Sequence, residues 1–306
     1  MLINPAKRIS LLLPTRGRRK LVLRFLDSVL HTAIHPEQIE VIICADDDDI
    51  DSHNIDFAGL ALKQIVVPRQ NMGAYNDICL EQASGNISIA VNDDMIIRTQ
   101  GWDDKIRLMD EKYPDGIYLA YGNDLFKGRK LCTFPIMSRR MTDLMFAAYP
   151  RVYRGAFIDV HLMDIFKRLS HKGFERLVYL EDVIFEHVHY RVDASLLDST
   201  YTERPRFGDD PVFIGLIEQR AAEAQRLAAV IAAPKVELSY QEPPLYQSVP
   251  IGLFSAPWII LRRFGMDKDL PFAWRLRLLV WMTARFYYSA ARSCQKFLVN
   301  RRPERE

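Results

Sequence analysis

The sequence predicts an α/β fold, a mostly parallel sheet covered by helices on both faces, on three observations. Short continuous Val/Ile/Leu runs recur from residue 9 onward, the pattern of strands buried on both faces. They alternate with stretches of helical period. Polar and acidic groups follow directly behind the apolar runs, where a parallel sheet presents its carboxyl edge.

Taken in order, "ISLLL" (9–13) reads as the first buried strand. "RRKLVLRFLDSVLHTA" (18–33) reads as a helix with Leu21, Leu23, Phe25, Leu26, Val29 and Leu30 along one broad face. "IEVIIC" (39–44) is the second strand and "KQIVV" (63–67) the third. "GAYNDICLEQA" (73–83) is a helix, "ISIAV" (87–91) the fourth strand, and "GWDDKIRLMDEKY" (101–113) a further helix. These make a doubly wound, Rossmann-like half. After about residue 115 the order is mixed: "GIYLAYG" and "KLCTFPIMS" read as strands, "MTDLMFAAY" as a helix, "FIDVHLMDIFKRLSHKG" as a helix closed by Gly173, and "VIFEHVHY" as a strand. "DPVFIGLIEQRAAEAQRLAAVIAA" (210–233) is an Ala-rich helix stopped by Pro234, and the Pro-containing polar stretch that follows is a linker. There is no internal repeat. The expected organisation is one domain over 1–245, with halves at about 1–97 and 98–245, and a basic helical extension over 246–306.

At 306 residues and 49% hydrophobic the chain can bury a large core, which excludes disorder as the default. Its net charge of +2 conceals an asymmetry, since residues 251–306 carry eleven Lys/Arg against four Asp/Glu. Cys44, Cys79, Cys132 and Cys294 show no C-x-x-C spacing, so no zinc knuckle or redox pair is indicated and a reduced, cytoplasmic compartment is expected. The start, "MLINPAKRISLLLPTRGRR", has the wrong order and flanks for a secretory signal. No apolar run reaches the roughly 18 residues of a membrane span.

Four polar groups fall at strand ends: "PTRGR" (14–18), "ADDDD" (45–49), "PRQNMGAYN" (68–76) and "NDD" (92–94). Singly, each has a plain explanation, since Thr15 and Asp46 are residue types that cap helices or turn chains and "ADDDD" is compatible with a solvated turn. Together, Asp46 through Asp49 with Asp93 and Asp94 would form a strongly negative pocket, and like charges so close repel unless a cation is present. Hard oxygen ligands without cysteine suit Mg²⁺ or Mn²⁺, which keep waters and bridge to substrate phosphates. That chemistry points to a nucleotide diphosphate.

In this order of elements, "ISLLLPTRGR…LVLRFLDSVL…IEVIICADDDD…VVPRQNMGAYNDICLEQASGNISIAVNDD" resembles the nucleotide-sugar half of GT-A-fold glycosyltransferases, family 2 type, and the resemblance covers roughly residues 8–190. It implies that Pro14, Thr15 and Arg16 lie against the nucleotide and that Asp46 or Asp47 meets its base or ribose. It implies that Asn71, Gly73 and Asn76 close round the nucleotide, with Arg69 offsetting phosphate charge. Asn92, Asp93 and Asp94 stand at the family's Asp-x-Asp position, with Asn92 replacing the first aspartate. Metal binding then falls on Asp94, and Asp93 meets the sugar or serves as a second ligand. The fold's usual late histidine is offered by His187 and His189, which share one strand face while Glu186 points away. The acceptor segment implies a carboxylate base near a helix start. Asp159, favoured there by the helix dipole, is the first candidate and Asp164 the second; helix capping or a pair with Lys167 or Arg168 is the alternative for both.

"PFAWRLRLLVWMTARFYYSAARSCQKFLVN" (271–300) reads as one long helix with Arg285, Arg292 and Lys296 on one face and Leu276, Leu279, Val280, Phe286, Tyr287, Phe297 and Leu298 on the other. "VPIGLFSAPWIILRRFG" adds Trp258 and two arginines. Such a helix suits a membrane interface, or packing against the domain or a second subunit. Nucleic acid is not expected, because the aromatics do not alternate with the basic residues. The expected activity is metal-dependent, inverting transfer of a sugar from a nucleotide diphosphate sugar to a hydroxyl of a glycan or lipid-linked acceptor, at or near the cytoplasmic face of the inner membrane. A non-catalytic nucleotide-sugar-binding assembly protein is the rival from another class. A nucleotidyltransferase is the enzymatic rival, and it wants a Gly-rich phosphate loop where only Gly17 is found.

Overall fold

The computed structural model describes residues 7–188, 207–233, 242–246 and 249–299. Its first half comprises β1 (Ile9–Thr15), α1 (Arg19–Thr32), β2 (Ile39–Asp46), β3 (Ala61–Val67), α2 (Met72–Gln82), β4 (Ile87–Ala90), β5 (Met95–Ile97) and α3 (Trp102–Asp110). The second half continues with β6 (Leu119–Asn123), β7 (Ile136–Ser138), α4 (Arg139–Leu144), α5 (Ile158–His171) and β8 (Leu177–His187). After these come α6 (Asp210–Gly215), α7 (Ile217–Ala232), α8 (Ala256–Ile260), a π-helical turn (Leu261–Gly265) and α9 (Phe272–Val299).

The strands form one eight-stranded sheet in the order β3-β2-β1-β4-β7-β6-β8-β5. β1 and β2 are buried along their whole length, as continuous apolar runs require. Parallel pairing sets Ile9 beside Ile39 and Ile87, and Glu40 beside Ala61. The carboxyl ends of four parallel strands therefore lie side by side. Beyond β4 the sheet turns mixed, with β7 antiparallel to β4 and β6, β6 parallel to β8, and β5 antiparallel to β8. The expected α/β class and mixed second half are what the chain forms.

Several local expectations need correction. β3 is an edge strand and largely exposed, which Lys63 and Gln64 tolerate because water solvates them. "KLCTFPIMS" contributes only Ile136–Ser138 to the sheet. The helix expected over "MTDLMFAAY" starts earlier, where Ser138 accepts the Met141 amide (3.0 Å), and stops at Leu144. It stops because Glu223 of α7 accepts the amides of Phe146 (2.7 Å) and Ala147 (3.2 Å), drawing the chain out of helical register. The Ala-rich helix is broken in two at Leu216. β5 was not foreseen as a strand; it forms because "MII" finds β8 as its partner.

Two cores cover the two faces of the sheet. On one, Val22, Phe25, Leu26 and Val29 of α1 meet Trp102 and Ile106 of α3. On the other, Cys79 of α2, Leu162 and Phe166 of α5 and Leu227 of α7 meet Ala256, Ile260, Phe264, Trp274, Leu278 and Met282. The expected boundary at 245 therefore separates no cores, because the C-terminal segment completes the second one. The facing expected for the long helix also changes. Arg285 turns inward, bonds Asp210 (2.6 Å) and lies over the Phe157 ring (4.9 Å from its centre), while Leu276, Val280 and Tyr287 face out. An acid and an aromatic face on the domain attract the guanidinium. The side chains of Lys296, Phe297 and Leu298 lie outside the described residues. Among the described residues no helix is long and apolar enough to cross a membrane.

Glu223 is fully buried, and burial pushes its carboxyl up to about 7, against the pull of the Ala147 and Phe146 amides. The native state thus holds a proton that the unfolded chain releases near its ordinary 4.5. Stability is expected to fall as pH rises from about 4.5 to 7. Glu223→Gln should flatten that slope in melting curves taken across the window, and an unchanged slope would count against Glu223 as its source.

Candidate functional site

The carboxyl edge of β1, β2 and β4 is tied together by side chains from each predicted polar group. Thr15 donates from Oγ1 to Asp93 Oδ2 (2.9 Å), and Arg18 donates to Asp93 Oδ1 (3.0 Å). Arg16 reaches from the end of β1 to Asp46 (2.5 Å) and, with two nitrogens, to Asp48. The Gly17 amide, at a φ of +64° that suits glycine, donates to Asp49 (2.6 Å). Tyr75 of α2 donates to Asp46 and accepts the Gln70 amide (2.7 Å). The acidic strand ends are thus neutralised in part by arginines from the first loop, a partition the acid count alone did not reveal.

Asp93 is buried, and burial pushes its carboxyl up to about 6 although Arg18 pulls it down; Asp94 pushes it further up. Asn92 supplies its carbonyl to the Met95 amide (3.1 Å), closing the turn that carries Asp93 and Asp94. Because β5 then pairs with β8, Met95 lies opposite His187 and Ile96 opposite Glu186. The Val188 amide donates to the Asp94 carbonyl (3.0 Å). His187 Nε2 lies 3.3 Å from Asp94 Oδ2, both side chains being almost fully buried. Glu186 points the other way and bonds Arg98 (2.6 Å), as strand alternation requires. His189 lies outside the described residues.

Three contributors were not singled out from the sequence. Asp124, fully buried at the end of β6, accepts the amides of Phe126 (3.0 Å), Lys127 (2.6 Å) and Gly128 (2.6 Å) and the Thr133 hydroxyl (2.6 Å). Its own carbonyl accepts the His187 amide (3.1 Å). This orders the loop whose Phe126, with Phe134 beyond it, stands edge-on to the His187 ring at 6.4 and 5.4 Å. An aspartate ahead of a glycine-containing loop, "NDLFKG", was the available signal. Arg18 and Tyr75 were within the quoted stretches, but their partners are distant in sequence.

Other expected positions divide. Pro14 is buried within β1 beside Cys44. Asp47, Arg69 and Asn71 stand exposed along the rim, and Asn76 is buried in α2. Gly73 also has a packing reason within the fold. Its amide donates to the Tyr153 carbonyl (2.9 Å), and a Cβ there would meet the Pro150 carbonyl oxygen at 2.2 Å. The glycine admits the 150–154 loop over the start of α2, so that amide is already committed. Asp159 lies half-buried in the first turn of α5, accepting the Val160 amide (2.8 Å). Asp164 is not available as a base. It is fully buried, accepts from Arg168 (3.1 Å), Arg220 (2.8 Å) and the Trp274 indole (2.9 Å), and serves as the counter-ion that lets α5, α7 and α9 meet.

Among the described residues no three His, Cys, Asp or Glu side chains gather as a complete metal centre. Asp94 and His187 still fit a divalent cation as a pair. A carboxylate and an imidazole are donors that Mn²⁺ accepts, and such ions keep positions for water and phosphate oxygens. The class defined by fold and site is therefore an α/β protein with an acid, imidazole and arginine cluster at the carboxyl edge of its parallel strands. No family model matches the chain, and no curated relative matches it in sequence. Among solved structures it is similar to S. aureus TarS, with 15% identity, a TM-score of 0.49, and coverage of 91% of this chain and 53% of that one. The chain thus spans about half the length of that protein. It is similar also to the mannosyltransferase PcManGT from Pyrobaculum calidifontis in complex with GDP-Man and Mn²⁺ (13% identity, TM-score 0.46, coverage 99% and 84%). A third is glucosyl-3-phosphoglycerate synthase from Mycobacterium tuberculosis in complex with Mn²⁺, UDP and phosphoglyceric acid (14% identity, TM-score 0.44, coverage 71% and 78%).

Proposed function

We propose that this chain transfers a sugar from a nucleotide diphosphate sugar to a hydroxyl of a glycan or lipid-linked acceptor, with inversion. The observation that carries the reading is the Asp94–His187 pair, 3.3 Å apart and buried beside the β4 turn. It sits where the sequence resemblance to family 2 GT-A glycosyltransferases places the metal and diphosphate. Asp94 and His187 would hold Mn²⁺ or Mg²⁺, which supplies positive charge against a leaving diphosphate. Thr15 and Arg18 fix Asp93 at the sugar side of that turn. Arg16 and Tyr75 hold Asp46 in place at the nucleotide side, with Arg69 and Asn71 on the open rim. Asp159 takes the acceptor proton, a role worth about 10²- to 10⁴-fold in rate. Residues 249–300 supply contact with a membrane surface or a second copy of the chain, which would keep the site on the cytoplasmic side of a lipid-linked acceptor.

The test is a thermal-shift screen of UDP- and GDP-sugars with and without Mn²⁺. At ligand about 100-fold above Kd, mass action adds about 2.7 kcal/mol. A rise in Tm that needs both sugar nucleotide and Mn²⁺ is expected for one nucleotide class. No rise with any of them, with or without metal, would sink the donor assignment.

A further inference from the structure

The inward face of α9 is used up by the second core through Trp274, Leu278 and Met282. Its outward face is also apolar and exposed among the described residues. Phe272 (71% exposed), Leu276, Val280 (60%) and Tyr287 all point out. At 100° per residue they fall within an arc of about 80°, and from first to last they span about 22 Å of helix. No Asp or Glu occurs between residues 272 and 292. The Tyr287 hydroxyl donates to the Leu253 carbonyl (3.1 Å), fastening the preceding loop beside this face. That loop presents Phe254, 98% exposed, and leads into α8 with Trp258, 61% exposed. α8 and the π-helical turn both pack against α9, which sets the Trp258 helix beside the α9 helix. So many exposed large apolar side chains on neighbouring elements are the kind of surface that marks an interaction site.

We propose that this face docks the chain on an anionic lipid surface. Charge decides between the candidate occupants. Arg262 on the π-helical turn and Arg277, about 60° round α9 from the face, are exposed, and residues 251–306 hold eleven Lys/Arg against four Asp/Glu. A second copy meeting this face about a two-fold axis would bring two copies of the same basic surface together, with no Asp or Glu between residues 272 and 292 to complement either. An anionic leaflet instead gains from each basic residue near it. Exposed Trp, Tyr and Phe side chains suit the headgroup level. The helix is thereby an interfacial one, lying in the plane of the surface. The proposal makes no use of the donor site.

The test is co-sedimentation of the full chain with phosphatidylcholine vesicles, with and without phosphatidylglycerol. Binding is expected to require phosphatidylglycerol and to weaken as salt rises. The double substitution Phe254→Ser, Val280→Ser should lower apparent affinity by about tenfold or more, with melting temperature and any donor-induced shift unchanged. Phe254→Leu should retain binding, and Arg277→Glu should reduce the dependence on phosphatidylglycerol. Absence of binding to either vesicle overturns the proposal. So does a chain that is dimeric in solution and becomes monomeric on the double substitution, which would assign the face to a second copy. Failure of the donor screen alongside vesicle binding would overturn the transferase reading and leave this surface standing.

Discussion

Asp94→Asn is expected to lower metal-dependent transfer by about 10²- to 10³-fold, because a bound divalent ion supplies several kcal/mol of transition-state charge stabilisation. The amide keeps the side chain's shape in a buried turn, so the backbone bonds from Met95 to Asn92 and from Val188 to Asp94 have no reason to break. Melting without ligand should therefore stay close to wild type, while the Mn²⁺-dependent part of the donor-induced shift is lost. Asp94→Ala should show the same loss of turnover. The two readouts separate a ligand role from a folding role. Near-wild-type turnover with Mn²⁺ in either variant would sink the assignment of Asp94 and, with it, the carrying observation for glycosyl transfer.

Asp164→Ala is expected to have the largest effect on stability. Burial alone would raise the Asp164 carboxyl, but Arg168 and Arg220 outweigh it and hold it down at about 2. Removing the carboxylate strands the fully buried Arg220 guanidinium and leaves Arg168 with Asp267 alone (2.6 Å). Breaking a buried pair from one side costs about 3–5 kcal/mol, a fall in Tm of about 10 °C for a chain of this size. The same carboxylate contributes stability above the ordinary carboxylate range, and that contribution is lost as pH falls toward 2. Calorimetric melting at neutral and acidic pH reads both effects. A variant that melts like wild type but has lost turnover would return Asp164 to the role of base and displace Asp159.

Much of the fold was legible because buried strands and helices imprint their own periods. β1, α1, β2, α2 and β4 appear within a residue or two of where the apolar runs set them. The site was legible in part for a related reason: parallel strands deliver their ends to one edge, so Thr15, Arg16, Asp46 and Asp93 were bound to come near each other. β5 and Asp124 escaped because three apolar residues and one aspartate take their meaning from β8 and from the 126–133 loop. For Asp164 the alternative of a pair with Arg168 is the one that forms, but its burial and its second arginine, Arg220, were out of reach, because a carboxylate in a helix looks the same in sequence whether it faces a substrate or two arginines.

By itself the sequence determined the α/β class, the order of elements, the cluster of polar strand ends and the long basic helix. Each of these rests on residues close together in the chain, where period and spacing act directly. The tertiary structure alone decided that Asp164 is locked in the core, that Gly73 serves a neighbouring loop, that His187 stands 3.3 Å from Asp94, and which side of α9 is left outward. Those are settled by partners tens to more than a hundred residues away, such as Trp274 on Asp164. Burial and charge pairing act only once the chain has brought such groups together.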